Sequence, residues 1–196
     1  MAITTTSGPE DATQLAVRGL TALKRAQGTL GAGESGGGRA QAVDASLPVY
    51  HMGPDALTAG IPKPATSARR IGWRYLLAEG QTKRAVEVIG DTVSSITQGN
   101  GVRNLERALS VASKTVDNLR PYEARVLVFG RAGNSLLWLH ADAGGDRYFS
   151  LDEQPQEVDE DGAMLSAGRK TRMRQVMKTL GENTGVTTHD TDESGG

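Results

Sequence analysis

The residues best suited to chemistry lie around one predicted turn. His140 and Asp142 are two residues apart at the end of a predicted strand, and Asp146 closes the turn that follows. Because alternate strand residues share a face, one imidazole and two carboxylates could converge there on a divalent metal. Turn chemistry already explains the Asp-Ala-Gly-Gly-Asp sequence and is the preferred interpretation, since Asp and Gly favour turns for backbone reasons. A small ligand- or metal-binding site, or an enzyme active site, near His140, Asp142 and Asp146 is therefore our alternative hypothesis.

Covalent catalysis finds little support elsewhere in the chain. His51 and Asp55 could form a general-base dyad, but no serine lies in a recognised nucleophile motif, and the sequence contains no cysteine. The absence of cysteine also excludes disulfides and zinc ribbons. We assign no catalytic residue, no metal ligand and no cofactor, and the enzyme question stays open with the balance against an enzyme.

A basic amphipathic helix is predicted near the C-terminus. Its apolar stripe and the cations around it form the predicted partner-binding surface: Met173, Val176, Met177, Leu180, Arg169, Lys170, Arg172 and Arg174. Such a helix can lie in the groove of a protein partner, where flexible methionines suit adaptable contacts. The alternative is that it docks on its own domain, with the six acidic residues of 152–161 covering its charges. The lack of Trp and Phe argues against membrane anchoring.

Basic residues also gather on a predicted hairpin, together with two aromatic rings. They are Arg69, Arg70, Arg74, Lys83 and Arg84, interleaved with Trp73 and Tyr75. Since Arg74 alternates with the two rings, rings and cation should lie on opposite faces of the strand. This pattern is typical of core aromatics beneath a solvated basic row. Nucleic acid is not an expected partner, and an anionic-polymer binder that also uses 169–178 is a third hypothesis.

Composition locates the folded domain. All eight aromatic residues fall between Tyr50 and Phe149, although the chain has 196 residues. Large rings supply much of a core's buried area, which predicts an α+β core domain over 46–151. Residues 1–45 are expected to form an N-terminal helical arm and a flexible Gly-rich linker. Residues 152–196 are expected to form an acidic linker, the basic helix and a polar tail.

Periodicity predicts the elements of that domain. A short strand could cover 47–52, and a hairpin is expected from strands at 70–78 and 83–89. Apolar residues at helical spacing begin with Val102, Leu105 and Leu109 and predict a helix from Gly101. Three further strands are expected at 125–129, 135–141 and 147–151.

These elements predict an α+β fold with an antiparallel or mixed sheet. The order is ββ-α-βββ, packed on one central helix, with amphipathic helices at the N- and C-termini. In element order the chain resembles profilin-like and roadblock-like domains and, more loosely, small secretion chaperones. The resemblance implies a curved sheet layered with helices.

The expected function is non-enzymatic. We predict a protein-binding adaptor or structural component of a bacterial or phage multiprotein assembly, docking through its terminal helices. No apolar run is long enough to cross a membrane, so a cytoplasmic location is expected. A homo-oligomer is compatible with the sequence.

Overall fold

A computed structural model describes most of the chain. The described residues are 2–28, 42–53, 64–79, 82–116, 120–129, 134–158 and 164–165. Within them lie three helices, α1 (Glu10–Ala26), α2 (Pro64–Ser67) and α3 (Asn100–Thr115). They also contain ten strands: β1 (Ile3–Thr4), β2 (Ala42–Met52), β3 (Arg69–Glu79), β4 (Thr82–Ile89), β5 (Thr92–Gln98), β6 (Tyr122–Phe129), β7 (Asn134–His140), β8 (Arg147–Ser150), β9 (Glu157–Val158) and β10 (Met164–Leu165).

The strands form one mixed sheet. Nine of them lie in the order β10-β9-β8-β7-β6-β2-β3-β4-β5. Strand β2 runs parallel to β6, whereas the other neighbours in this order are antiparallel. The short strand β1 also pairs with β6 in parallel. The predicted α+β class with a mixed sheet is therefore confirmed.

The predicted element order ββ-α-βββ is incomplete, because the sheet also contains β1, β2, β5, β9 and β10. The 47–52 strand extends back to Ala42. Strand β5 was not predicted, since its seven residues include only Val93 and Ile96 as apolar residues. A bulge between the Val88 and Glu87 pairings inserts Ser94 into β5. The bulge spaces the two apolar residues three apart and removes the period of two that identifies a strand.

Helix α3 covers one face of the sheet. Its apolar residues Val102, Leu105, Ala108 and Ala112 follow the helical period and are buried. They form one core cluster with sheet residues that include Leu47, Val49, Leu76, Ala85, Val126, Leu137, Leu139 and Phe149. The central helix predicted from Val102 and Leu105 has its apolar stripe on this sheet.

Helix α1 covers part of the opposite face. Ala12, Ala16 and Leu20 recur every four residues along one side of the helix and are buried. They pack against an apolar patch on β3 and β4 consisting of Trp73, Tyr75, Leu77, Val86 and Val88. The N-terminal helix expected as an arm therefore lies against the sheet, with its apolar stripe already covered.

A third apolar cluster lies on the other half of the sheet. It contains Met52, Leu127, Leu136, Trp138, Tyr148 and Val158, all buried.

None of the helices in the described part of the chain is both long and apolar enough to span a bilayer.

The backbones of β3 and β4 approach each other closely at Gly72. A Cβ atom added there would lie 2.0 Å from the backbone oxygen of Val88 and 3.0 Å from Cα of Ile89. Backbone atoms cannot move aside as a flexible side chain can, so any side chain at this position must separate β3 from β4.

We expect Gly72→Ala to lower the free energy of unfolding by about 1–3 kcal/mol, the usual cost of overpacking a core. Gly101→Ala is the matched control, because a Cβ there meets no atom within 4 Å, and it should leave stability unchanged or slightly raised. Urea denaturation followed by circular dichroism measures both. Equal stability of the two variants would contradict the close approach at Gly72.

Candidate functional site

The His140 cluster is assembled by the β7–β8 hairpin. Strand β7 ends at His140, and the chain returns through a turn in which Gly144 and Gly145 have φ of 80° and 84°. These left-handed conformations favour glycine, and they bring Asp146 back beside the end of β7. The structure thus brings together the three residues that the sequence suggested.

The two carboxylates have different environments. Asp146 lies 3.1 Å from Nδ1 of His140 and its side chain is only 4% exposed, whereas Asp142 lies 3.5 Å from Nε2 and is fully exposed. Asp146 also accepts hydrogen bonds from the indole Nε1 of Trp138 at 2.9 Å and the backbone N of Ala141 at 3.0 Å.

This geometry favours a structural role for the cluster. The carboxylate of Asp146 faces a backbone amide, an indole and an imidazole, and those partners tie the turn to the core. A catalytic or metal-binding carboxylate needs a lone pair directed at substrate or ion. Among the described residues, no group of three or more His, Cys, Asp or Glu side chains could hold a metal ion.

Trp138 connects the cluster to an aromatic network. Its ring contacts Tyr50 edge-on with centroids 5.1 Å apart, His140 at 5.5 Å and Tyr148 at 6.2 Å. The guanidinium of Arg125 lies 4.8 Å from the rings of both Tyr50 and Trp138. Cation–π contacts of this kind strengthen where water is excluded, so Arg125 joins β2, β6 and β7 on this face.

Glu123 completes the network at its outer end. Its carboxylate accepts hydrogen bonds from Nε of Arg125 at 2.6 Å and from the Thr6 hydroxyl at 2.5 Å. Burial alone would raise the pKa of Glu123, but the hydrogen bonds from Thr6 and Arg125 outweigh it and the pKa is lowered. The sequence did not indicate this network, although the β6–β7 hairpin that it predicts pairs Arg125 with Trp138.

Two of the five basic residues of the first hairpin, Arg74 and Lys83, form ion pairs with carboxylates. Arg74 lies 2.6 Å from Glu87, with the two side chains 18% and 13% exposed. The predicted separation of Arg74 from the rings is confirmed, because Trp73 and Tyr75 pack against α1. The predicted solvated row does not include Arg74, because its side chain is mostly buried. Hydrogen bonds to Glu106 and Asp44 raise the pKa of Lys83 to about 12.

Several of the predicted site residues lie outside the part of the chain that the structure describes. The partner-binding residues Met173, Val176, Met177, Leu180, Arg169, Lys170, Arg172 and Arg174 lie outside the described residues. Asp55 also lies outside them, whereas His51 is in β2 and pairs with Arg69 and Val128.

The outer edge of β5 is the second candidate site. It ends the sheet, and no strand in the described parts of the chain pairs with its outer side. Five of its seven residues are exposed and it contains no charged residue and no proline. An edge of this kind presents a row of backbone donors and acceptors to another chain, and proteins usually guard such edges with charges or proline.

A groove lies between α3 and the sheet, next to this edge. It has a volume of about 510 Å³ and its lining includes Ser94, Ser95 and Thr97 of β5 together with the Arg74–Glu87 ion pair. The first two turns of α3 border it at Gly101 and Leu105. Alternate side chains of a strand added to β5 would lie on the face of the sheet that carries this groove.

Comparison with protein-family models, with curated proteins and with solved structures gives no match. The interpretation of both sites therefore rests on their geometry.

We expect Asp146→Asn to lower the free energy of unfolding by about 1–3 kcal/mol, because the amide group of Asn would turn a donor toward buried N–H groups. Asp142→Asn is the matched control on the same turn and should leave stability unchanged. Thermal unfolding monitored by tryptophan fluorescence reports on Trp138 together with Trp73, the other tryptophan of the chain. If Asp142→Asn were the more damaging change, the turn would not depend on Asp146.

Glu123→Gln should reduce stability by about 0.5–1 kcal/mol at pH 7, since the ion pair is part-exposed. A carboxylate with a lowered folded-state pKa stabilises the fold above its unfolded value of 4.5. That contribution is lost as the pH falls through the folded pKa. The difference between wild type and variant should therefore shrink on acidification, as measured by urea denaturation from pH 7 downward. A difference independent of pH would exclude this role.

Proposed function

We propose that the protein is a non-enzymatic adaptor or structural component of a multiprotein assembly, and that it binds other protein chains through the outer edge of β5. The observation that supports this most directly is the edge itself, which carries no charged residue and no proline. Thr92–Gln98 forms seven residues of β-structure with one side paired to β4 and five residues exposed. Backbone groups at an edge satisfy their hydrogen bonds best with another extended chain.

The polar side chains of these clusters form hydrogen bonds and ion pairs within the protein, and this supports a binding role over an enzymatic one. Asp146 is engaged by Trp138 and Ala141, and Arg74 is engaged by Glu87. An active site usually keeps such groups available to a substrate. The alternative of a ligand site or enzyme near His140, Asp142 and Asp146 has only the exposed Asp142 and one side of the imidazole to offer.

The prediction that both terminal helices dock on partners is revised for the N-terminal helix α1. The apolar stripe of α1 is buried against β3 and β4, which leaves its polar side for solvent. We propose that the C-terminal residues around Met173 and Met177 supply a second docking segment, as their basic amphipathic pattern suggests.

The test places two lysines on the edge. Thr92→Lys with Thr97→Lys should reduce recovery of bound protein chains by about tenfold or more, an effect of about 1.4 kcal/mol, because charged residues on an edge oppose strand addition. Ser110→Lys with Ser113→Lys adds the same charge to exposed positions of α3 and should bind as wild type. Quantitative affinity purification from cells expressing each variant measures the recovery.

A second pair of variants separates the enzymatic alternative. If His140→Ala and Asp142→Asn abolish the cellular role at an unchanged melting temperature while the β5 lysines have no effect, the proposed function is wrong.

A further inference from the structure

We infer that the chain which occupies the β5 edge is a second copy of this protein, paired with the first through an antiparallel β5–β5 contact about a two-fold axis. The inference rests on the proposed function only in taking β5 as the interface. It adds the identity of the occupant and the register of the pairing.

The first argument is the sequence of the strand. Residues 92–97 read Thr-Val-Ser-Ser-Ile-Thr, which is the same order of side-chain types in either direction. In an antiparallel pair centred between Ser94 and Ser95, Thr92 faces Thr97 of the second copy and Val93 faces Ile96. A two-fold interface requires this reciprocity, because residue i of one copy meets residue j of the other and j meets i.

The second argument is that the bulge gives the strand symmetric faces. Val93 and Ile96 pair with Val88 and Val86 of β4, and all four pack on the α1 side of the sheet. In a regular strand, residues three apart would lie on opposite faces. The extra residue Ser94 restores Val93 and Ile96 to one face.

Burial follows the same symmetry. Val93 and Ile96 are half-buried, and the other four residues of 92–97 are exposed. Pairing Val93 with Ile96 of the second copy would therefore extend the α1-side apolar cluster across the axis. Cross-strand contacts between β-branched side chains stabilise such pairs.

The ends of the strand are symmetric as well. Gly90 and Gly99 lie equally far from the midpoint, and both have left-handed backbones with φ of 60° and 74°. They turn the chain away from the sheet direction at each end, so the paired segment is limited to the region between them. Asp91 would face Gln98 of the second copy, which places no like charges opposite each other.

A heterologous strand would not need these features. It could pair with β5 in many registers, and neither the reversible sequence nor the symmetric placement of Gly90 and Gly99 would matter to it. The observations therefore favour a second copy over another protein as the occupant.

The absence of cysteine from these 196 residues permits a direct test of register. Thr92→Cys and Thr97→Cys are made as separate full-length variants and treated with a thiol crosslinker too short to span five residues of strand, about 16 Å. The proposed register brings position 92 beside position 97 of the other copy, so an equimolar mixture should crosslink to a covalent dimer. Either variant alone should crosslink at least tenfold less, because positions 92 and 92 lie far apart across the axis.

A collision control and a mass measurement complete the experiment. Ser113→Cys on the exposed side of α3, mixed with either β5 variant, should give only background crosslinking. The wild-type protein should sediment at twice the chain mass of 20.7 kDa, and Thr92→Lys with Thr97→Lys should sediment as a monomer, since lysines would face lysines across the axis. Crosslinking of Thr92→Cys with itself, equal crosslinking in every mixture, or a wild-type monomer throughout the concentration range would each overturn the inference.

The outcome distinguishes this inference from the proposed function. If the wild type is a monomer while the β5 lysines still lose a bound protein, the edge accepts a different chain and only the second-copy assignment fails. If the β5 lysines alter neither self-association nor recovery of bound proteins, both fail.

Discussion

The parallel pairing of β2 with β6 is the interaction on which the rest of the structure depends. Strands β3–β5 form one antiparallel group and β6–β10 another, and β2 joins them by pairing with β3 on one side and β6 on the other. The register sets Val49 beside Val126 and Tyr50 beside Leu127. Parallel neighbours need a long crossover, and here β3, β4, β5 and α3 all lie within it. The same pairing brings Tyr50 to Arg125, so the aromatic network depends on it too.

Elements whose apolar residues recur at a regular spacing were predictable, because one face or both faces of each element are buried. The apolar spacing of Val102 and Leu105 identified α3, and the hairpin and the later strands fell close to their observed bounds. Strand β5 was not predictable in this way, since the bulge at Ser94 breaks its period. The site followed the same division. Local sequence brought His140 and Asp146 together, whereas the contact of Arg125 with Tyr50 depends on a pairing between strands that are distant in the sequence.

The His140 cluster shows why suitable residue types do not establish catalysis. A buried carboxylate is costly unless its oxygens find donors, and Asp146 finds them in the indole of Trp138 and the amide of Ala141. Those bonds fix the tight turn and orient Trp138 toward Arg125. Glu123 serves the network in the same way from the other end, since it neutralises Arg125 where burial by the rings would otherwise leave a cation without an anion.

The bulge in β5 restricts how another strand can pair with an edge that has no charged residue and no proline. A neutral edge that was also flat would accept further strands and promote aggregation. The bulge twists the strand locally. A partner strand therefore fits best if it carries a bulge at the corresponding position, and a second copy does so at Ser94 and Ser95. A two-fold pair also uses the β5 edge of both chains at once. Because the sheet order ends on the opposite side in the two-residue strand β10, pairing of β5 with β5 closes this edge instead of propagating along it.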